Sequence, residues 1–129
     1  MSFESTKYDN YTLITFNSEK LDSLVSPELK SALVLVNKNG ERNILMDLSA
    51  VKYCDSSGLS ALLIGNRLCK EAQGSFIVCG IQPMVKKLLK ISQLDNIITE
   101  TPSLPEAIDY LFMEELEREM GSEDVDDEI

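Results

Sequence analysis

Two adjacent serines between an aspartate and a glycine, Asp55-Ser56-Ser57-Gly58, are the residues of this chain best suited to chemistry, because an apolar helical pattern begins directly after them. Asp and Ser side chains accept hydrogen bonds from the orphan N–H groups of a first helical turn, and Gly lets the backbone turn sharply, so one reading of the four is a helix cap. One side chain suffices for that, which leaves a second hydroxyl to face solvent. Such a hydroxyl sits beside free N–H groups and the positive end of the helix dipole, where an anion is stabilised. Phosphate there would be tolerated by the fold while adding about −1.5 to −2 charges beside Asp55. That is enough to switch off a contact without unfolding the domain. A catalytic nucleophile is the weaker reading: the chain has no His to serve as base, no G-x-S-x-G elbow, and Lys52 as its one lysine near the serines.

Composition narrows the setting. The chain has 129 residues, 43% of them apolar, with 22 acids against 12 bases for a net charge of −10. Such a length predicts one domain that folds without metal or disulfides. The excess of acid argues against binding nucleic acid, whose affinity comes from Lys and Arg, and against docking on anionic membrane. Without His there is no Ser-His-Asp triad, Cys-His pair or His-based metal site. Cys54, Cys69 and Cys79 are odd in number and lack a C-x-x-C spacing, so they read as small buried residues in a reducing compartment. With no basic-apolar leader at Met1-Ser2-Phe3-Glu4 and no apolar run of about 18 residues, a cytoplasmic protein is expected.

The elements that must position the serines alternate in type. Phe3 to Tyr8 and Tyr11 to Phe16 read as a hairpin across Asp9-Asn10. Ser26-Pro27-Glu28 reads as an N-cap, a first helical position and a first-turn acid, for a helix carrying Leu29, Leu33 and Val36 and stopping at Asn39-Gly40. Asn43 to Leu48 is a mostly apolar run of the kind buried in a parallel strand. The helix after the serines, with Leu59, Leu62, Leu63, Leu68 and Ala72, ends at Gly74; Phe76 to Cys79 is a strand; Val85, Leu88 and Leu89 mark a short helix after Pro83; and Ile97 to Thr99 is a last strand. Ser103 and Glu106 have capping-box spacing before a helix that buries Leu104, Ile108, Leu111 and Phe112. This order predicts an α/β domain, a mixed sheet of about five strands with about four helices, whose parallel pairs are joined by right-handed crossovers. Partners of such folds use loops at the carboxyl ends of strands, where the serines lie. Residues 114–129 carry −8, leaving −2 for the rest. The domain is therefore placed at 1–118 and an acidic, disordered tail at 119–129.

The run from Asp47 to Leu63, Asp-Leu-Ser-x-Val-x-x-x-Asp-Ser-Ser-Gly-Leu-x-x-Leu-Leu, resembles the signature of STAS domains and most closely that of bacterial anti-sigma factor antagonists. The likeness continues through Gly74 and Phe76 to Leu89 and covers residues 10 to 113. The resemblance implies phosphorylation of Ser56 by a partner that is both anti-sigma factor and serine kinase. That partner is bound, and its sigma factor released, while Ser56 is free. It implies a contact surface of Asp55, Ser56, Ser57, Gly58 and Leu59, and a second region of contact at Asp22, in Glu19-Lys20-Leu21-Asp22, where Glu19 replaces the Gly typical of the family. It further implies a PPM-type phosphatase that resets the switch, no cofactor on this chain, and a binding module in place of an enzyme. A monomer suits a protein whose partner must reach the loop. The alternatives are a STAS module in another signalling or lipid-transport complex and, below it, a nucleotide-binding protein, for which the G-x-x-x-x-G-K-[ST] loop is lacking.

Overall fold

In the computed structural model the chain is described over residues 2–127, with side chains as far as Gly121. The aromatic and β-branched start forms β1 (Phe3–Lys7) and β2 (Thr12–Phe16), paired antiparallel with Phe3 opposite Phe16 and their ring centroids 5.7 Å apart. A two-residue β3 (Lys20–Leu21) leads to α1 (Ser26–Lys38). Then come β4 (Ile44–Asp47), a two-residue β5 (Tyr53–Cys54), α2 (Ser56–Glu71), β6 (Phe76–Cys79), α3 (Pro83–Ile91), a single 3-10 turn at Leu94–Asn96, β7 (Thr99–Thr101) and α4 (Leu104–Asp127).

The main sheet has the order β1-β2-β4-β6-β7, parallel throughout except for the first pair, and β3 with β5 makes a separate parallel ribbon. This is the expected α/β architecture of five strands and four helices. Alternation divides the central strands between two cores. Ile44, Met46, Phe76 and Val78 face α1, α2 and α3, while Leu45, Ile77 and Cys79 face Ala107 and Leu111 of α4. Leu29 and Leu33 of α1 are fully buried, each contributing about 1.5–3 kcal/mol of apolar burial. Cys54, Cys69 and Cys79 are free and buried as expected, their thiols pushed up to about 12 chiefly by burial. Among the described residues no helix is long and apolar enough to cross a membrane.

Four local expectations are corrected. Ser26 is the first residue of α1, not its cap: Val25 and Ser26 N–H groups donate to the Asp22 carbonyl, so a preceding turn starts the helix. The last strand is Thr99–Thr101, because Ile97 and Ile98 close the 3-10 turn onto the Leu94 carbonyl before the chain aligns with β6. Phe112 is 61% exposed, since α4 approaches the sheet through Ala107 and Leu111, one helical turn apart. At the end of α2 the left-handed residue is Gln73 (φ 61°), whereas Gly74 is needed for space: a Cβ there would lie 1.8 Å from the Arg42 carbonyl oxygen.

The far end of α4 is tied to the amino ends of β4 and β6. Ser75 donates to Glu114 at 2.6 Å, Asn43 to Glu115 at 2.8 Å, Arg42 pairs with Glu115 at 3.3 Å, and Arg118 donates to Ser75. The acidic tail of 119–129 starts as the final turns of α4; the side chains of residues 122–129 lie outside the described part.

Candidate functional site

The serines are positioned by the small ribbon. Lys52 and Tyr53 N–H groups both donate to the Glu19 carbonyl, at 2.7 and 3.0 Å, and β5 runs beside β3 with Leu21 opposite Cys54. Glu19 needs no left-handed backbone here, since the non-glycine residues with positive φ are Gln73 and Gln93 among those described. The turn therefore accommodates a side chain where the resemblance led to a Gly. After Cys54 the chain is held to the Leu21 carbonyl through the Asp55 N–H, and α2 starts. Asp55 is its N-cap: Oδ1 accepts from the Ser57 N–H at 2.9 Å, the Gly58 N–H at 3.1 Å and the Ser57 hydroxyl at 2.6 Å. Gly58 lies inside the helix and does not make a turn. A Cβ on it would come 2.5 Å from the Leu21 carbonyl oxygen and 2.6 Å from Cys54 Sγ, so glycine is what lets α2 close on the ribbon.

Ser56 is exposed at the first helical position, and its hydroxyl has no hydrogen-bond partner among the described residues. Asp55 and Ser57 beside it are half-buried, while Gly58 and Leu59 are buried, Leu59 within the main core. Asp22 arrives from the other side: its carboxylate accepts from the Leu24 N–H at 3.1 Å and its carbonyl from the hydroxyl of Ser26 at 2.7 Å. Asp22, Asp55, Ser56 and Ser57 thus meet at one place, with Gly58 and Leu59 beneath them. The Asp55 carboxyl is held below the usual range, most by the Ser57 hydroxyl, then by the Gly58, Ser57 and Ser23 N–H groups, against an opposing effect of desolvation.

Two features depart from the expected chemistry. The free N–H groups foreseen for a phosphate are partly taken, because Asp55 occupies those of Ser57 and Gly58. A phosphate on Ser56 would therefore confront a carboxylate as well as a helix end. Lys52, the one lysine near the serines in sequence, pairs with Glu19 at 3.4 Å, and no group of three metal-binding side chains occurs among the described residues.

Two residues at the site were not assigned to it from the sequence, Ser26 being read as a helix cap and Leu24 not singled out. Ser26, 1% exposed, stands 3.0 Å from Ser57 across the start of the two helices. Leu24, 87% exposed, is the most exposed large apolar side chain described. A leucine outside any periodic apolar pattern, between a turn-forming Asp22 and a Pro-led helix, was the available signal.

A model of the STAS domain family matches residues 2–107. BtrV of Bordetella bronchiseptica is 28% identical over 72 residues, 56% of this chain and 62% of BtrV, so the chain spans less than two-thirds of that relative. The anti-sigma-B factor antagonist of Staphylococcus aureus is 24% identical over 98 residues, 76% of this chain and 90% of its own. Among solved structures, the Bacillus cell fate determinant SpoIIAA in its phosphorylated form shares the fold with a TM-score of 0.67 and 20% identity, over 84% of this chain and 97% of its own.

Proposed function

The chain belongs to the STAS domain family, and from that premise we propose that it is a cytoplasmic anti-sigma factor antagonist switched by phosphorylation at Ser56. Unphosphorylated, it binds an anti-sigma factor that is also a serine kinase and so frees a sigma factor. The observation that carries this reading is the Ser56 hydroxyl, exposed and unbonded beside a second serine whose hydroxyl is already committed to Asp55. The similarity to an antagonist of Staphylococcus aureus and the phosphorylated state of SpoIIAA are consistent with it.

In the transfer step, Ser56 Oγ forms a bond to the γ-phosphorus of ATP held by the kinase, the bond to ADP breaks, and the hydroxyl proton leaves to a base on the kinase. This chain contributes the acceptor and its placement, and is a binding module and substrate. The product carries about −1.5 to −2 new charges against Asp55 at the contact surface, which releases the partner, and a PPM-type phosphatase restores the hydroxyl.

The test is incubation with the cognate kinase and ATP, followed by mass spectrometry of the product. One phosphate at Ser56, lost in Ser56→Ala, is the expected result, together with weaker partner binding by Ser56→Asp. Full labelling of Ser56→Ala would overturn the assignment.

A further inference from the structure

Four oxygens stand in a row across the site: the Asp22 carbonyl, Ser26 Oγ at 2.7 Å from it, Ser57 Oγ a further 3.0 Å on, and Asp55 Oδ1 at 2.6 Å. The two hydroxyls bring two hydrogens to three contacts, and an ionised Asp55 brings none. The shortest contact takes the hydrogen of Ser57. That of Ser26 is then shared between the Asp22 carbonyl on one side and Ser57 on the other. The Ser23 N–H also helps to hold the Asp55 carboxyl below its usual range. The loop of residues 22–25, which presents Leu24, is therefore fastened to the start of α2 by this row, which ends on the carboxylate next to Ser56.

We propose that Ser26 is a positioning residue that joins this loop to the acceptor as one surface, and that phosphate on Ser56 loosens the loop. The proposal rests on the reading of Ser56 as the acceptor. A phosphoryl dianion one residue before Ser57 offers three strong acceptors and repels the neighbouring carboxylate. The Ser57 hydroxyl turns from Asp55 toward phosphate, and Asp55 loses its shortest hydrogen bond. The Ser26 hydrogen then reverts to Asp22 alone, so the loop and the helix are no longer bridged. Phosphorylation would thus change the contact surface at Leu24 as well as at Ser56.

Amide hydrogen exchange, read by NMR at Ser23 and Leu24, tests this without the partner. Four proteins are compared: wild type, wild type with phosphoserine installed at position 56 by an expanded genetic code, Ser26→Ala and Ser57→Ala. Exchange at both amides is expected to rise about fivefold or more in the last three, while amides of β4 and of α2 beyond Leu62 stay as protected as in wild type. Equal exchange with and without phosphoserine would overturn the coupling, and a folded Ser26→Ala with unchanged exchange would overturn the role of Ser26. Should Ser26→Ala not fold, Ser57→Ala breaks the same row from its half-buried side and decides the matter. With the kinase, Ser26→Ala is expected to raise KM and leave kcat unchanged. Phosphate found elsewhere than Ser56 would sink the functional reading alone, since the exchange experiment needs no kinase.

Discussion

Asp55 is a helix cap whose acidity is shifted by the groups it caps. Its folded pKa lies below its unfolded value, most through the Ser57 hydroxyl. Its contribution to stability is therefore complete above the unfolded value of about 3.9 and is lost as pH falls through the folded one. Asp55→Asn keeps an acceptor at the cap but cannot titrate, so the variant is expected to lose less melting temperature than wild type between about pH 5 and pH 2. Parallel acid limbs in thermal melts would show that the cap does not titrate as described. Asp55 and Ser56 were legible in the sequence because capping is a local matter: a carboxylate, two hydroxyls and a glycine before an apolar helix leave few arrangements. Ser26 was misread for the converse reason. A serine before Pro27 has the pattern of a cap, but its partner Ser57 is 31 positions away, and no local pattern carries that contact. Leu24 was silent too, since an exposed leucine has no period to betray it.

At the scale of elements, the last strand was placed two residues early, but the other four strands of the main sheet and the four helices could be read because each is long enough to repeat its apolar period or to show its cap. The β3 and β5 ribbon could not. Two residues carry no period, and Lys20-Leu21 pairs with Tyr53-Cys54 only because the turn at Glu19 brings them together. Yet this ribbon sets the height of the loop that carries Ser56, and Gly58 is the position that measures it. Gly58→Ala places a methyl against backbone at the Leu21 carbonyl, which cannot move without parting the ribbon. A loss of about 1–3 kcal/mol in urea denaturation is expected, with faster amide exchange at Cys54 and Asp55. A variant as stable as wild type would mean that α2 can stand off from β3 without cost. Helix propensity alone would favour alanine by about 1 kcal/mol, so a net loss would come from the clash.

For the molecule as a whole, the charge of −10 divides less simply than its distribution along the chain suggests. Glu114 and Glu115 lie in the acidic stretch, yet they fasten α4 to Ser75, Asn43 and Arg42, and Arg118 joins the same cluster. Ending the chain after Gly121 is expected to leave the melting temperature nearly unchanged. Ending it after Met113 strips partners from the buried Ser75 and Asn43 and is expected to cost about 2–4 kcal/mol. Equal stability of the two truncations would remove this cluster from the account of the fold. The cluster sits at the amino ends of β4 and β6, whereas the ribbon and Ser56 follow their carboxyl ends. Three residue rises along a four-residue strand separate these poles by about 10 Å, and the stretch between β4 and β5 adds to it. In physiological salt the Debye length is about 8 Å, so Glu114 and Glu115 are largely screened from a phosphate on Ser56. A phosphate on Ser56 would thereby be insulated from Glu114 and Glu115, though not from the Asp55 carboxylate beside it. In about 0.01 M salt, where the screening length reaches about 30 Å, that insulation fails, and the far pole begins to oppose each phosphate added.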